Sequence, residues 1–437
     1  MAAIAPDTTE APGSHWLASF VETWEPGSGA GVEDREPATG RLIATVRGST
    51  TDDVARAAAA AKAAQPAWAE TSYQERARIL RKAADIYEAN RAEFGTWTMR
   101  ETGASHSKMH HESNFAHGEM LAAATLPWQP YGSLVPTVVK GRLSMIRRIP
   151  VGVVGAITPW NSPSVLGMRV VAPALALGNA VVLKPDPQTP VIGGAMFEAV
   201  FREAGLPEGL LQIVVGGADV GEAIVTDANV NVVSFTGSTA AGRHIVHESI
   251  AGEYVDALRD KAQNLRLGDP YREDVQLGPI VNEKQLKRVD DIVRRSVDGG
   301  ARLVIGGTHE GLFYQPTVLA DVTQDLPAWT DEIFGPVAPV TTFRTDEEAL
   351  ALANSSAYGL VGAVYSRSMS RGLAIAQRIK AGMVHVNDGT LNDEATIPFG
   401  GSGLSGNGVR YGGEANLDNF TEWQWVTVRD EPPTFPF

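Results

Sequence analysis

Short apolar runs alternating with amphipathic stretches dominate the middle of this chain. VGVVGAIT (151–158), AVVLKP (180–185), LQIVVGG (211–217) and VNVVSFTG (230–237) have the pattern of strands buried on both faces. Between them, over 163–177, 190–204 and 219–227, apolar residues recur at helical spacing. This alternation predicts a parallel, right-handed, doubly wound sheet, with ligands at the carboxyl ends of its strands. Ahead of it, helical periodicity covers DDVARAAAAAKAAQPAW (52–68) and YQERARILRKAADIYEANRAEF (73–94), and another helix is expected over 107–124. KGRLSMIRRIP (140–150) alternates and reads as a strand with one wet face.

A second alternation follows with different content. EKQLKRVDDIVRRSVDGG (283–300) predicts a helix, ARLVIGG (301–307) a strand and PVAPVTTF (336–343) a strand. TDEEALALANSS (345–356) and SRGLAIAQRI (370–379) predict helices; GLVGAVYS (359–366) and GMVHVND (382–388) predict strands. Together they form a second α/β domain. The tail FTEWQWVTV (420–428) reads as an exposed strand and an edge for pairing with another subunit. Between the two alternations, GSTAAGRHIVHESIAGEYVDAL (237–258) is discordant. It opens as a phosphate-type turn leading into a helix, then starts a different amphipathic helix almost at once. Residues 242–247 are asked for helix by their left context and strand by their right, a conflict between local signals.

At 437 residues the chain can build two cores. Its net charge of −14 is spread along the chain and repels phosphate backbones, which argues against nucleic acid as a partner. Residues 1–15 read as a disordered lead-in without the basic start and apolar core of a secretory signal. No apolar run reaches the length of a membrane span, so no membrane partner and a cytoplasmic location are expected. Cysteine is absent, which removes disulfides, thiolate metal ligands and a thiol nucleophile together. Nine histidines show no metal spacing: His110 and His111 are adjacent, His385 alternates within a strand, and no metal site is assigned.

Three strand ends carry candidate chemistry. FTGSTAAG (235–242) sets a Gly-rich turn after a strand and before a helix, where backbone N–H groups suit a pyrophosphate; a bare tight turn has the same composition. In TPWNSP (158–163), Asn161 is either a turn former or an amide donor for a developing oxyanion. Lys184 in LKPDPQTP (183–190) is either an ordinary strand-terminal lysine or a cation for a ribose or phosphate. DEIFGPV (331–337) and PFGGSGLSGNG (398–408) complete the set.

In this order, VGVVGAITPWNSP, LKPDPQTP, SFTGSTAAG, DEIFGPV and PFGGSGLSGNG resemble the NAD(P)-dependent aldehyde dehydrogenases over residues 24–428. HVNDGTLNDEATIPFGG (385–401) is similar to the benzaldehyde and vanillin dehydrogenase branch, which oxidises aromatic aldehydes to acids. The resemblance implies a doubly wound parallel-sheet cofactor domain (1–130 and 151–244), a second α/β catalytic domain (245–411), and a small β oligomerisation arm (131–150 and 412–437). It implies an aromatic aldehyde as small-molecule partner, and a homo-oligomer, dimer or tetramer. Asn161 becomes the oxyanion donor and Lys184 the contact to the adenosine ribose. Gly237 and Ser238 flank the pyrophosphate, Glu332 holds the nicotinamide ribose, and Phe334 packs beside the nicotinamide. Ile157, Trp160, Phe235 and Gly242 line the cofactor cleft. The position three after Lys184, often acidic where NAD is preferred, is Pro187; NAD is expected, with NADP possible.

The resemblance also says what stands between GSTAAG and GRHIVHES in the family: a helix, a strand ending in Glu-Leu-Gly-Gly, another helix, and the loop bearing the catalytic cysteine. Roughly sixty residues are missing on family length, and with them the nucleophilic Cys and the general-base Glu. An internal deletion between two similar short segments, and loss of aldehyde oxidation, are the expectations. The alternative is a non-catalytic nucleotide-binding or subunit-pairing protein.

Overall fold

The computed structural model describes residues 16–236 and 242–432. A short helix (Trp16–Val21) and an antiparallel hairpin (Gly31–Arg35 with Leu42–Arg47) lead into four longer helices: α1 (Thr51–Glu70), α2 (Tyr73–Ala89), α3 (Arg91–Thr102) and α4 (His106–Ala123). Thr50 and Asp53 close a reciprocal cap on α1, each side chain accepting from the other's backbone N–H. Trp68 at its far end is buried and donates to the Leu175 carbonyl at 2.8 Å. Strands β1 (Gly132–Leu134) and β2 (Arg142–Pro150) then lead into the doubly wound unit.

That unit runs β3 (Val153–Ile157), α5 (Pro163–Ala176), β4 (Ala180–Lys184), α6 (Met196–Ala204), β5 (Leu211–Ile213), α7 (Ala218–Thr226) and β6 (Val232–Phe235). The strands are parallel in the order β5-β4-β3-β6, so the chain steps outward twice and then crosses back to the other side of β3. This reversal is the switch point at which such sheets open a crevice beyond the strand ends. Residues 180–184 are all buried, as an apolar run predicts. The fourth strand departs from that prediction. On β6, Val233 is 37% exposed and Phe235 70% exposed, because β6 is the sheet edge and no described strand lies beyond it.

The discordant segment resolves in favour of its right-hand context. β7 (His244–His247) pairs parallel with Val340–Phe343 of the second unit, where four register partners and the β-branched Ile245 and Val246 favour extended chain. Next come α8 (Glu248–Asn264), α9 (Glu283–Asp298), β8 (Arg302–Ile305), β9 (Thr317–Ala320) and β10 (Val337–Phe343). The second sheet has the order β8-β9-β10-β7, parallel except for β8. Two further expected strands, β11 (Val361–Val364) and β12 (Met383–Val386), do not join it. They form a separate parallel pair, with every residue only half-buried. The C-terminal β13 (Thr421–Arg429) pairs antiparallel with β2 and forms one edge of the three-stranded arm β13-β2-β1, with Trp423 and Trp425 exposed. No helix among the described residues is long and apolar enough to cross a membrane.

Candidate functional site

The register of the first sheet lines up three predicted residues. Ile157 on β3 stands opposite Lys184 on β4 and opposite Phe235 on β6, a row across the carboxyl ends of the strands at the switch point. Lys184 is 7% exposed, and among the described residues its Nζ reaches only the Pro185 carbonyl, at 3.4 Å. Burial lowers its pKa, partly opposed by the charges of Asp186 and Asp219. Its stem runs beside Gly221 of α7, where a Cβ would lie 3.7 Å from the lysine Cδ and Cε. A buried cation without an ion pair among the described residues is held at a desolvation penalty, which a hydroxyl- or phosphate-bearing ligand would relieve.

One step on, the Thr158 N–H donates to the Lys184 carbonyl at 3.0 Å and so joins the two strand ends. Its hydroxyl is buried without a hydrogen-bond partner among the described residues. Trp160 and Asn161 follow, and Pro163 opens α5, a position where its fixed φ and missing N–H do no harm. The Asn161 carbonyl accepts from Lys108 Nζ at 2.6 Å, which anchors the turn, and the Asn161 amide group makes no hydrogen bond among the described residues. An amide left free on an anchored backbone is available to a ligand oxygen.

The opposite wall comes from the second unit. Trp160 meets Phe334 edge-on, with ring centroids 5.0 Å apart at 76°. Phe334 has φ +52°, a left-handed conformation that costs a non-glycine residue on the order of 1 kcal/mol and persists only where its surroundings enforce it. Here Gln285 Nε2 donates to the carbonyls of Ile333 and Phe334, both at 3.1 Å, and Arg288 holds the Glu332 carbonyl at 2.9 and 3.1 Å. Glu332 itself is buried.

Sequence reasoning missed Gln285 and Arg288, although their spacing of three on an amphipathic helix sets them on one face. It also missed the Thr158 hydroxyl and an ion cluster under α5. Arg169 Nε donates to Glu119 at 2.9 Å, Nη2 donates to both carboxylate oxygens of Asp393 at 2.8 and 2.6 Å, and the guanidinium lies 4.0 Å from the Phe399 ring centroid. Two predicted residues do not share the cleft geometry. Phe235 closes the row but is largely exposed, and Gly242 is exposed at the entrance to β7, which belongs to the other sheet. Gly237 and Ser238 lie outside the described residues. No cluster of three metal-ligating side chains occurs among the described residues.

A doubly wound sheet whose strand-end crevice faces an enforced aromatic wall from a second α/β unit defines the class of protein. The particular family follows from comparison: the chain belongs to the aldehyde dehydrogenase family, whose model matches residues 24–246 and 239–426. It is 44% identical to a vanillin dehydrogenase of an Amycolatopsis species over 474 aligned positions, covering 96% of this chain and 97% of that protein. It is 41% identical to the benzaldehyde dehydrogenase [NAD(+)] of Pseudomonas putida, with coverage of 96% and 97%. Among solved structures, a betaine aldehyde dehydrogenase of Staphylococcus aureus, in complex with NAD+ and with a BME-modified cysteine, superposes with TM-score 0.89. It shares 26% identity, with 93% of this chain and 95% of that one covered.

Proposed function

We propose that this chain is an aromatic-aldehyde dehydrogenase by descent that keeps the dinucleotide cleft and lacks the centre for aldehyde oxidation. The observation that carries this reading is the absence of any cysteine in a chain that aligns from end to end with aromatic aldehyde dehydrogenases. Two features support an internal deletion as the cause. The two stretches matched by the family overlap, both claiming residues 239–246. The alignment to the Amycolatopsis relative spans 474 positions, more than the 437 residues of this chain, and so requires gaps on this side. In this reading residues 1–130 and 151–244 make up the cofactor part, 245–411 the remnant of the catalytic part, and 131–150 with 412–437 the arm that joins subunits into dimers or tetramers.

The residues present fit a dinucleotide. Lys184 and Thr158 are buried polar groups short of partners among the described residues, as a ribose or phosphate would need, and Trp160 with Phe334 makes a flat apolar wall for a heterocycle. Glu332 stands beside that wall as the contact to a second ribose. NAD is the expected ligand, with NADP possible because Pro187 leaves no carboxylate against a 2′-phosphate at that position. When bound, the dinucleotide supplies the hydride acceptor for aldehyde oxidation. Asn161 would serve as the oxyanion donor, but an oxyanion forms only after a nucleophile adds to the carbonyl.

Isothermal calorimetry with NAD+ and NADP+ tests the surviving half of this reading. Saturable 1:1 binding is expected. Lys184→Met is expected to weaken it by about ten-fold, or roughly 1.4 kcal/mol, the scale of one charge-assisted contact. No heat at millimolar nucleotide would refute the cleft assignment; equal affinity of the Lys184→Met variant would refute the role of Lys184.

A further inference from the structure

We propose that Asn407–Gly408 is a self-modification site, at which the folded protein deamidates to aspartate and isoaspartate through a cyclic imide. It is the one Asn–Gly step in the chain and lies in the Gly-rich stretch PFGGSGLSGNG. The ends of that stretch are pinned. Phe399 and Tyr411 exchange backbone hydrogen bonds of 2.6 and 2.8 Å, and Arg410 Nη1 donates to the Gly401 carbonyl at 2.9 Å. Asn407 and Gly408 stand on the open side of the loop, and both are exposed. The site is separate from the dinucleotide cleft and does not depend on what that cleft binds.

Nucleophile, electrophile and leaving group are all prepared. The nucleophile is the Gly408 backbone nitrogen, whose N–H makes no hydrogen bond among the described residues. The electrophile is the Asn407 side-chain carbonyl carbon. Its Oδ1 accepts from the Val409 N–H at 3.1 Å, a local turn that folds the side chain back over the Gly408 peptide and polarises the carbonyl. The leaving group, Asn407 Nδ2, has no partner among the described residues. Gly408 has φ +98°, and no atom lies within 4 Å of where a Cβ would stand, so no neighbour obstructs ring closure. Asn354–Ser355 supplies the contrast. There Nδ2 donates to the Arg378 carbonyl at 2.9 Å, Oδ1 accepts from the Lys380 N–H at 2.8 Å, and the Ser355 N–H is taken up by the Leu352 carbonyl at 3.2 Å. The step balances with water and hydroxide alone. Hydroxide removes the Gly408 amide proton, the nitrogen bonds to Cγ, and the Cγ–Nδ2 bond breaks as ammonia departs with a proton from solvent. Water then opens the imide, at Cγ to give aspartate or at the main-chain carbonyl to give isoaspartate. Either product replaces a neutral amide by a carboxylate and makes the net charge of −14 one unit more negative. Isoaspartate also adds a main-chain carbon to a loop whose ends are fixed.

The purified chain is incubated for days at mildly alkaline pH, both folded and in urea, and its peptides are read by mass spectrometry. In the folded protein the peptide carrying Asn407 is expected to gain about 1 Da as ammonia is released. Its rate should lie within about three-fold of the rate in urea, whereas folding should slow Asn354 by about ten-fold or more, because that residue reacts only after local opening. Asn407→Gln, in which the ring would have to be six-membered, is expected to remove both the ammonia and the more acidic species that ion exchange resolves. An Asn407 peptide that stays intact while the protein is folded, and reacts only in urea, would overturn the site. Equal rates at Asn407 and Asn354 in the folded chain, or an acidic species that persists in Asn407→Gln, would overturn it as well.

Discussion

Purified protein incubated with benzaldehyde and NAD+ is expected to form no NADH above the blank, at a rate lower by on the order of 10^4 or more than an intact relative assayed alongside. A free aldehyde does not release its carbonyl hydrogen as hydride at a useful rate. Addition of a thiolate to the carbonyl carbon produces the tetrahedral alkoxide from which hydride can leave, and a carboxylate base then activates water to clear the thioester. No cysteine is available anywhere in this sequence. Serine and threonine hydroxyls are no replacement, since each would need a neighbouring base to become nucleophilic. The Asn161 amide and the Trp160–Phe334 wall remain, so the expected phenotype is binding without turnover. On the proposed deletion, inserting the roughly sixty residues that an aromatic-aldehyde relative is expected to carry between the positions of Gly237 and Gly242 should restore NADH formation in the same assay. Steady NADH formation by the unmodified chain, free of contaminating enzyme, would sink the proposal.

Replacing Arg169 by methionine is expected to lower stability by about 3–5 kcal/mol, with a fall in Tm on the order of 10 °C, because it strips the cation from two carboxylates beneath the site. Glu119 is 3% exposed and loses its 2.9 Å partner; Asp393 loses both of its bonds, and with them the loop leading to Phe399 and the Gly-rich turn comes off α5. The effect carries a pH signature. Burial is the main cause that raises the Glu119 pKa, to about 6 from an ordinary 4.5, with Arg169 opposing the rise and Asp393 adding to it. The folded protein therefore holds a proton that the unfolded chain has released. Stability falls as pH rises from about 4.5 to about 6, by roughly 2 kcal/mol, and levels off above. Without Arg169 the carboxyl is pushed higher still and the window extends upward. Urea melts should show a larger deficit for the variant at pH 8 than at pH 5. Equal deficits at the two pH values would show that Glu119 is not the group responsible.

The strands of the first sheet were legible because full burial on both faces writes itself as a continuous apolar run, as 180–184 shows. The long helices were legible for the same reason at a different period, and α9 displays it plainly. The candidate site was half legible. Asn161, Lys184, Glu332 and Phe334 could be named from motifs, but nothing in a motif says that Lys184 is buried without an ion pair among the described residues, or that Phe334 is held at positive φ beside Gln285. The exposure of β6 escaped as well. VNVVSFTG has the composition of an interior strand and stands at an edge, so its composition describes neighbours that the described fold does not contain.

Family membership, the order of the α/β units and the lack of a thiol can all be read from the linear chain, since each depends on residue identity or on a short repeat. Other features exist only once distant segments meet. The reversal of strand order beside β3, the capture of residues 244–247 by the second sheet, the clamp of Arg169 on Asp393 and the unguarded β6 edge are of this kind. Burial, pairing and pKa are properties of surroundings, and residues far apart in sequence make those surroundings.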